Sequence, residues 1–547
     1  MLKKISIFFF SEVTFVLLII LLITVAGLWT LLYNQFKVAP PKTLYTFAHN
    51  YVPDFYQYLS WMKDGADGKI LITSRYSPDN FKRQPVYLFY SLLGWLSARI
   101  GLPLFLGYTV ARIFSSLLKL LTIYFLICQI FKKSTERKLA FFFTVLLPPF
   151  YHLFPFQMLR PDISSLDVLL RTFFLPHNLA ATIAIMIAAI YFNHYLNASK
   201  TEHKNIHIPI SNIRYLLLST ALLFLAGIAN PALLTIFYLF LGGAVVITFL
   251  QKPNVTLIIS SLVIFLPGFL LILYYQYLFS HALPFAWLYY QQKSVILMTS
   301  FLAYLENLGP VIFFVPFALL PFWKKKQFLT NFILSWAVVP FVLFPLLGKV
   351  IPFSQERFFE ISHFLPLGIL GAAGFYQIAA FFKGKAWLPA GKVLILSALA
   401  LFSLVYLLNS TQNEVNIFGR PYFNIFIPRS LVEAYLWLDK NTPEESVVAT
   451  PYFTANMLTA FAHNKVVYGH QFVTFKAPER RQDIEAIFAK ETSPAQIEEL
   501  LKKDQVDYLL VSIEQPLPST NLSQIKGLKK IFDNQENQIL KVNYSGH

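Results

Sequence analysis

Apolar runs separated by short charged loops fill the chain as far as residue 410. Runs long enough to cross a bilayer as helices lie at about 6–33, 106–131, 138–157, 172–197, 214–229, 231–250, 254–279, 306–323, 327–347, 357–382 and 388–408, which predicts about eleven spans. With the N-terminus in the cytoplasm, the basic loops KKSTERK (132–138), 198–214, QKPN (251–254), WKKKQ (323–327) and FKGK (382–385) all fall on the inner side. This is a strong positive-inside bias. Counting Pro85–Ile100 (PVYLFYSLLGWLSARI) as a further span would put the first two of those loops outside. That segment is therefore expected to lie along the outer surface, its aromatic and leucine face in lipid. A first outer loop then runs from about 34 to 105, long enough to be more than a connector.

Beyond residue 410 the pattern changes. Helix-like stretches (RSLVEAYLWLDK, PERRQDIEAIFAK, SPAQIEELLKK) separate short β-branched runs (SVVATP, KVVYGH, VDYLLVS, NQILKVNY). The alternation predicts a small α/β domain over 411–547, placed outside the membrane by an odd span count, after a transmembrane domain over 1–410. The expected fold class is thus an α-helical polytopic membrane protein with a small extracytoplasmic α/β domain.

Composition agrees. The chain is 56% hydrophobic and 13% charged, with a mean hydropathy of +0.55. The run that follows Lys3 and Lys4 is too long for a secretory h-region and has no small-residue cleavage site, so it reads as a retained first span. A formal charge of +17 is explained by the inner loops rather than by a nucleic-acid partner. Cys128 is the sole cysteine, so no intrachain disulfide forms. The sequence has no P-loop, Cys/His metal spacing or GxSxG elbow, which removes the soluble ATPase and zinc-hydrolase readings.

The candidate chemistry gathers at the outer ends of the spans. Asp54, in AHNYVPDFYQYLSWMKDG, is read either as the N-cap of a short helix whose Phe55, Tyr58, Leu59 and Met62 lie on the membrane, or as a general base near the lipid head groups. The second outer loop, FPFQMLRPDISSLDVLLRTFFLPHNLA (154–180), carries Arg160, Asp162, Asp167, Arg171 and His177. Its carboxylates are either part of a salt-bridged loop or oxygen ligands for a divalent cation. Lys82, Arg83 and Arg357 stand outside against the charge bias and suit a phosphate, with snorkelling or pairing to Glu356 and Glu360 as the alternative. Tyr274, Tyr275, Tyr277, Trp287, Tyr289 and Tyr290 flank the loop at 280–305 and form either an interfacial belt or a sugar-stacking surface.

The order of these features resembles the GT-C superfamily of lipid-phosphate-sugar-dependent glycosyltransferases, which includes protein mannosyltransferases, lipid A aminoarabinose transferases and oligosaccharyltransferase catalytic subunits. The resemblance rests on an inside N-terminus, one span, a long outer loop with an early Asp, the Pro-led KRQPVYLFYSLLGWL and the span GYTVARIFSSLLKLLTIYFLICQIF, and it covers residues 1–280. It implies a polyprenyl-phosphate sugar donor in the outer leaflet of the plasma membrane and a glycan, lipid or protein acceptor. By the same resemblance Asp54 acts on the acceptor or its metal, Asp162 is the nearest match to the second-loop acidic residue and the candidate metal ligand, and Arg357 with Lys82 or Arg83 holds the donor phosphate. The proline is single, and the second loop carries no D-x-D or D-x-E. A flippase for lipid-linked glycans is the rival reading, but it calls for ionisable residues at mid-span, where the sequence offers only Lys119. A non-catalytic scaffold with an outer binding domain is the third.

Overall fold

A computed structural model describes residues 11–150, 167–198, 210–294, 305, 308–344, 346, 363–515, 525 and 527–544. Eight of its helices are long and apolar enough to cross a membrane: Glu12–Val38, Leu104–Ile130, Pro176–Ala198, Asn212–Ala229, Pro231–Gln251, Val255–His281, Phe364–Phe381 and Leu388–Phe418. The chain is a multi-pass membrane protein. The three remaining predicted runs hold shorter helices among the described residues, at Ser134–Val145, Val315–Lys324 and Phe328–Leu343. Local chemistry sets the breaks between helices. Asn230 caps the helix at Pro231–Gln251 by accepting from the Leu233 N–H at 3.0 Å, and Pro231 cannot extend the preceding helix.

The chain forms two compact units, one of Met1–Thr30, Ala111–Tyr274 and Val295–Ile417, the other of Leu31–Val110, Tyr275–Ser294 and Phe418–His547. In the first, buried basic side chains are tied to backbone carbonyls. Lys119 Nζ donates to the Arg171 carbonyl at 2.8 Å, Arg171 Nη1 to those of Thr144 and Leu147, and Arg112 Nη2 to that of Phe173 at 2.8 Å. The mid-span lysine singled out in the sequence therefore serves to hold backbone.

The second unit contains the long loop predicted at about 34–105 and the C-terminal region. Strand β1 (Thr43–Tyr45) pairs antiparallel with β2 (Phe426–Pro428). The α/β portion holds a five-stranded sheet in the order β4-β3-β5-β7-β6, with β3 Val447–Ala449, β4 Lys465–Val466, β5 Tyr508–Val511, β6 Leu528–Asp533 and β7 Gln538–Val542. Strands β4, β3 and β5 are parallel; β7 and β6 complete the sheet antiparallel. Val447, Ala449, Leu509, Ile484, Ile487 and Leu501 form its core with the helices Ala477–Ile487 and Pro494–Lys503. The helix Tyr452–Phe461 packs instead on Val52–Ala66 from the 34–105 loop.

That loop contains two helices, Val52–Ala66 and Leu88–Arg99. They meet at reciprocal glycines: a Cβ at Gly65 would lie 1.8 Å from the Ser91 carbonyl oxygen, and one at Gly94 would lie 1.9 Å from that of Met62. Backbones approach this closely only without side chains. Leu92, Trp95, Leu96 and Ile100 remain exposed, a continuous apolar face of the kind expected for the segment at 85–100. Gly94→Ala is accordingly expected to push the helices apart at a cost of about 1–3 kcal/mol. A lower yield of monodisperse protein in detergent and a lower melting temperature would register it; unchanged melting would contradict the close packing.

Candidate functional site

The helix Val52–Ala66 starts one turn earlier than an Asp54 cap would require. Tyr51, in extended conformation, is its N-cap and makes no side-chain cap bond, and Pro53 presets the first turn. The expectation that Asp54 caps the helix is therefore corrected, because the backbone is already helical at Val52. A second correction concerns Phe55, Tyr58, Leu59 and Met62, which are buried inside the unit rather than laid on a membrane. Stacked rings account for this. Tyr58 lies on Tyr90 at 4.4 Å between centroids, and Trp61 on Tyr87 at 4.1 Å.

Asp54 sits in the first helical turn, where the positive end of the helix dipole favours a carboxylate. Its Oδ1 is 3.0 Å from Nε2 of His470, a residue 416 positions away in the C-terminal part of the same unit. The His470 side chain is 1% exposed, whereas that of Asp54 is 38% exposed. The turn that carries the imidazole is itself held. Thr474 Oγ1 accepts from the His470 N–H at 3.3 Å, and the Thr474 N–H donates to the His470 carbonyl at 3.0 Å. Nδ1 of His470 accepts the Phe472 N–H at 3.2 Å, so the ring carries its proton on Nε2 and donates it to Asp54. Asn456 bridges the two halves of the site, its Nδ2 donating to the carbonyls of Gly469 at 2.9 Å and Pro53 at 3.4 Å.

Tyrosines surround the pair. The Tyr51 ring stands edge-on to His470, its hydroxyl accepts from Gln471 Nε2 at 2.8 Å, and the Tyr76 hydroxyl donates to the Asn456 carbonyl at 3.2 Å. Burial, followed by the charge of Asp54, pushes the Tyr51 hydroxyl up to about 12, and burial raises that of Tyr76 as well. Both stay protonated at neutral pH. The arrangement presents one carboxylate, anchored through one oxygen by a buried donor and partly exposed.

The other expected site residues fall elsewhere. Arg83 donates to Asp64 at 3.0 Å and to Glu445 at 2.8 Å, and Arg75, 2% exposed, donates to the same Asp64 at 2.8 Å. Burial alone would lower the Arg83 pKa, but the two carboxylates outweigh it and raise it. Arg83 is thus already engaged by acidic side chains, while its neighbour Lys82 is exposed. In the other unit, Asp167 accepts from the backbone N–H groups of Leu169 and Leu170 through Oδ1 and from Tyr406 and Ser410 through Oδ2, all at 2.8–2.9 Å, which makes it a local clasp. His177 is buried at the first turn of Pro176–Ala198. Arg160, Asp162 and Arg357 lie outside the described residues. Among the described residues, no three His, Cys, Asp or Glu side chains come together as ligands for a metal ion. Of the ring cluster, Trp287 packs on Phe475 at 5.5 Å and Tyr275 bonds the Pro85 carbonyl at 3.3 Å, so these two build the unit.

The fold is that of the GT-C glycosyltransferases. The Archaeoglobus fulgidus oligosaccharyltransferase tethered with an acceptor peptide superposes with a TM-score of 0.53 at 11% identity, over 93% of this chain and 70% of that one. AglB from the same organism, in complex with an inhibitory peptide and a dolichol-phosphate, gives 0.51 at 12% identity over 92% and 70%. Arabinofuranosyltransferase AftD from Mycobacteria gives 0.52 at 14% identity, covering 96% of this chain and 40% of that one. At such identities the likeness is one of fold. By sequence, the chain matches no family model and no curated protein.

Proposed function

We propose that the protein is a membrane glycosyltransferase that moves a sugar from a polyprenyl-phosphate-linked donor to an acceptor hydroxyl at the outer face of the membrane. The observation that carries this reading is the carboxylate of Asp54, anchored by His470 yet more than a third exposed, in a chain with the GT-C fold. Asp54 takes the proton of the acceptor hydroxyl. The hydroxyl oxygen then bonds to the anomeric carbon from the face opposite the phosphate, and the C–O bond to phosphate breaks with its electron pair, so that polyprenyl phosphate leaves and the anomeric centre inverts. Alignment of the two reactants and cationic neutralisation of the leaving phosphate supply most of the acceleration. Exposed Lys82 is the described cation assigned to that phosphate; Arg357, assigned the same role from the sequence, lies outside the described residues. A divalent cation, if one takes part, would be served by Asp162. The C-terminal α/β region works on the outer side, because the residue facing Asp54 comes from it.

The test is transfer itself. Full-length protein in liposomes is given dolichyl- or undecaprenyl-phosphate-linked [14C]glucose or [14C]mannose, with an envelope extract as the source of acceptors. Protein-dependent movement of label out of the polyprenyl lipid and release of free polyprenyl phosphate are expected. No release with any of these donors, under conditions where the protein is folded, would contradict the reading.

A further inference from the structure

From the buried contact between the two parts of its unit, we infer that His470 is a positioning residue for Asp54: a fixed donor that locks one carboxylate oxygen and aims the other at the acceptor hydroxyl. The inference rests on Asp54 being the base proposed above. Three observations support it. The imidazole is 1% exposed, so it does not meet substrate from bulk solvent and acts through Asp54. Its tautomer is set by a backbone donor, since the Phe472 N–H occupies Nδ1 at 3.2 Å and leaves only Nε2 to carry the proton toward Oδ1. The frame around the contact is built from both sides, with Asn456 bonded to the carbonyl preceding Asp54 and to the one preceding His470.

A carboxylate on a first helical turn can rotate about its side-chain torsions. One buried hydrogen bond from a ring that cannot itself turn removes that freedom before the acceptor arrives. Locking the syn or anti face in this way also leaves the base charged and exposed on its working side, which a bond to both oxygens would not. A nucleophile's base is commonly oriented by a third group; here the orienter sits 416 residues along the chain, so the outer-loop helix gains its working geometry only when the C-terminal region has folded onto it.

Two measurements on the full chain decide the matter. The first needs no substrate. With 15N-histidine label, the His470 signal, assigned by its loss in His470→Gln, should show a protonated Nε2 and an unprotonated Nδ1, and should shift in Asp54→Asn. A proton on Nδ1 instead would overturn the assignment. The second is kinetic, with dolichyl-phosphate [14C]mannose or whichever of the labelled donors named above the native chain consumes. His470→Ala should lower kcat by about tenfold to a hundredfold, as loss of alignment does, while the donor KM stays within about twofold. His470→Gln, whose amide N–H falls near the place of Nε2, should recover most of the rate, and Asp54→Asn/His470→Ala should be no slower than Asp54→Asn alone. Full kcat in His470→Ala together with an inactive Asp54→Asn removes the positioning role and leaves the base assignment standing. An active Asp54→Asn removes the base assignment itself.

Discussion

Replacing Asp64 with alanine is expected to destabilise the unit that holds the candidate site more than any other single change described here. The Asp64 side chain is 1% exposed and accepts from Arg75 at 2.8 Å and from Arg83 at 3.0 Å. Arg75 is 2% exposed and also donates to the carbonyls of Thr459 and Ala462, so it cannot swing out to water when its carboxylate is removed. Breaking a buried pair from one side leaves an uncompensated charge and costs about 3–5 kcal/mol. For a unit of this size each kcal/mol is worth about 2–4 °C, so the apparent melting temperature should fall by about 6–20 °C. The loss approaches the whole stability of an ordinary domain, about 5–15 kcal/mol, and much of the protein should fail to accumulate. Fluorescence-detected melting in detergent measures it. Asp64→Asn keeps the volume and some of the hydrogen bonding, and should fall between the two. Melting unchanged in Asp64→Ala would show that the two arginines do not depend on this carboxylate.

Asp54→Asn makes the opposite kind of prediction: a stable protein without chemistry. The amide oxygen of asparagine can still accept the His470 Nε2–H now 3.0 Å from Oδ1, so folding should be intact. An amide is not a base, however. General-base catalysis contributes about a hundredfold to ten-thousandfold, and the rate of label transfer should fall by that factor, with binding of the polyprenyl donor unchanged because the proposal assigns the phosphate to other residues. Asp54→Glu should do little better, since an added methylene displaces the carboxylate from the His470 donor. Single-turnover transfer, together with donor titration, separates the two parameters. A fall in donor affinity at constant rate would place Asp54 in binding rather than in proton transfer.

The membrane helices were legible from length and apolarity: among the described residues eight of the predicted runs hold helices long enough to span, and the other three hold shorter ones. The α/β alternation of the C-terminal region was equally plain; the structure adds that Ser493 and Gln496 form a capping box at the helix 494–503. Strand β6 was missed. Its segment, LKKIFD, carries two lysines at the edge of the sheet, where one face is in water and the hydrophobic alternation is blurred. The helix 452–461 was missed because Thr454, Asn456 and Thr459, polar in sequence, are buried.

The site divides in the same way. Asp54 stood out by its place soon after a span, among aromatic residues. His470 did not, for a histidine in VVYGH carries no local sign that it meets a carboxylate 416 residues earlier. Arg83 looked like a phosphate ligand because only its charge and its place before Pro85 are visible in the sequence. Its partners Asp64 and Glu445 come from two distant segments, and only the fold shows that they neutralise it. Nor does the sequence carry a local sign that Asp64 and Arg75 form a buried pair.

The proposal depends most of all on the side of the membrane that Asp54 faces, and one cysteine makes this measurable. With Cys128→Ser as background, Gln471→Cys introduces a single thiol at an exposed position next to His470, within hydrogen-bonding reach of Tyr51 in the native side chain. Intact cells or right-side-out vesicles are treated with a membrane-impermeant maleimide before and after permeabilisation. Labelling at full extent before permeabilisation is the predicted result. Labelling only after the membrane is opened would put the carboxylate in the cytosol and contradict the account at its root.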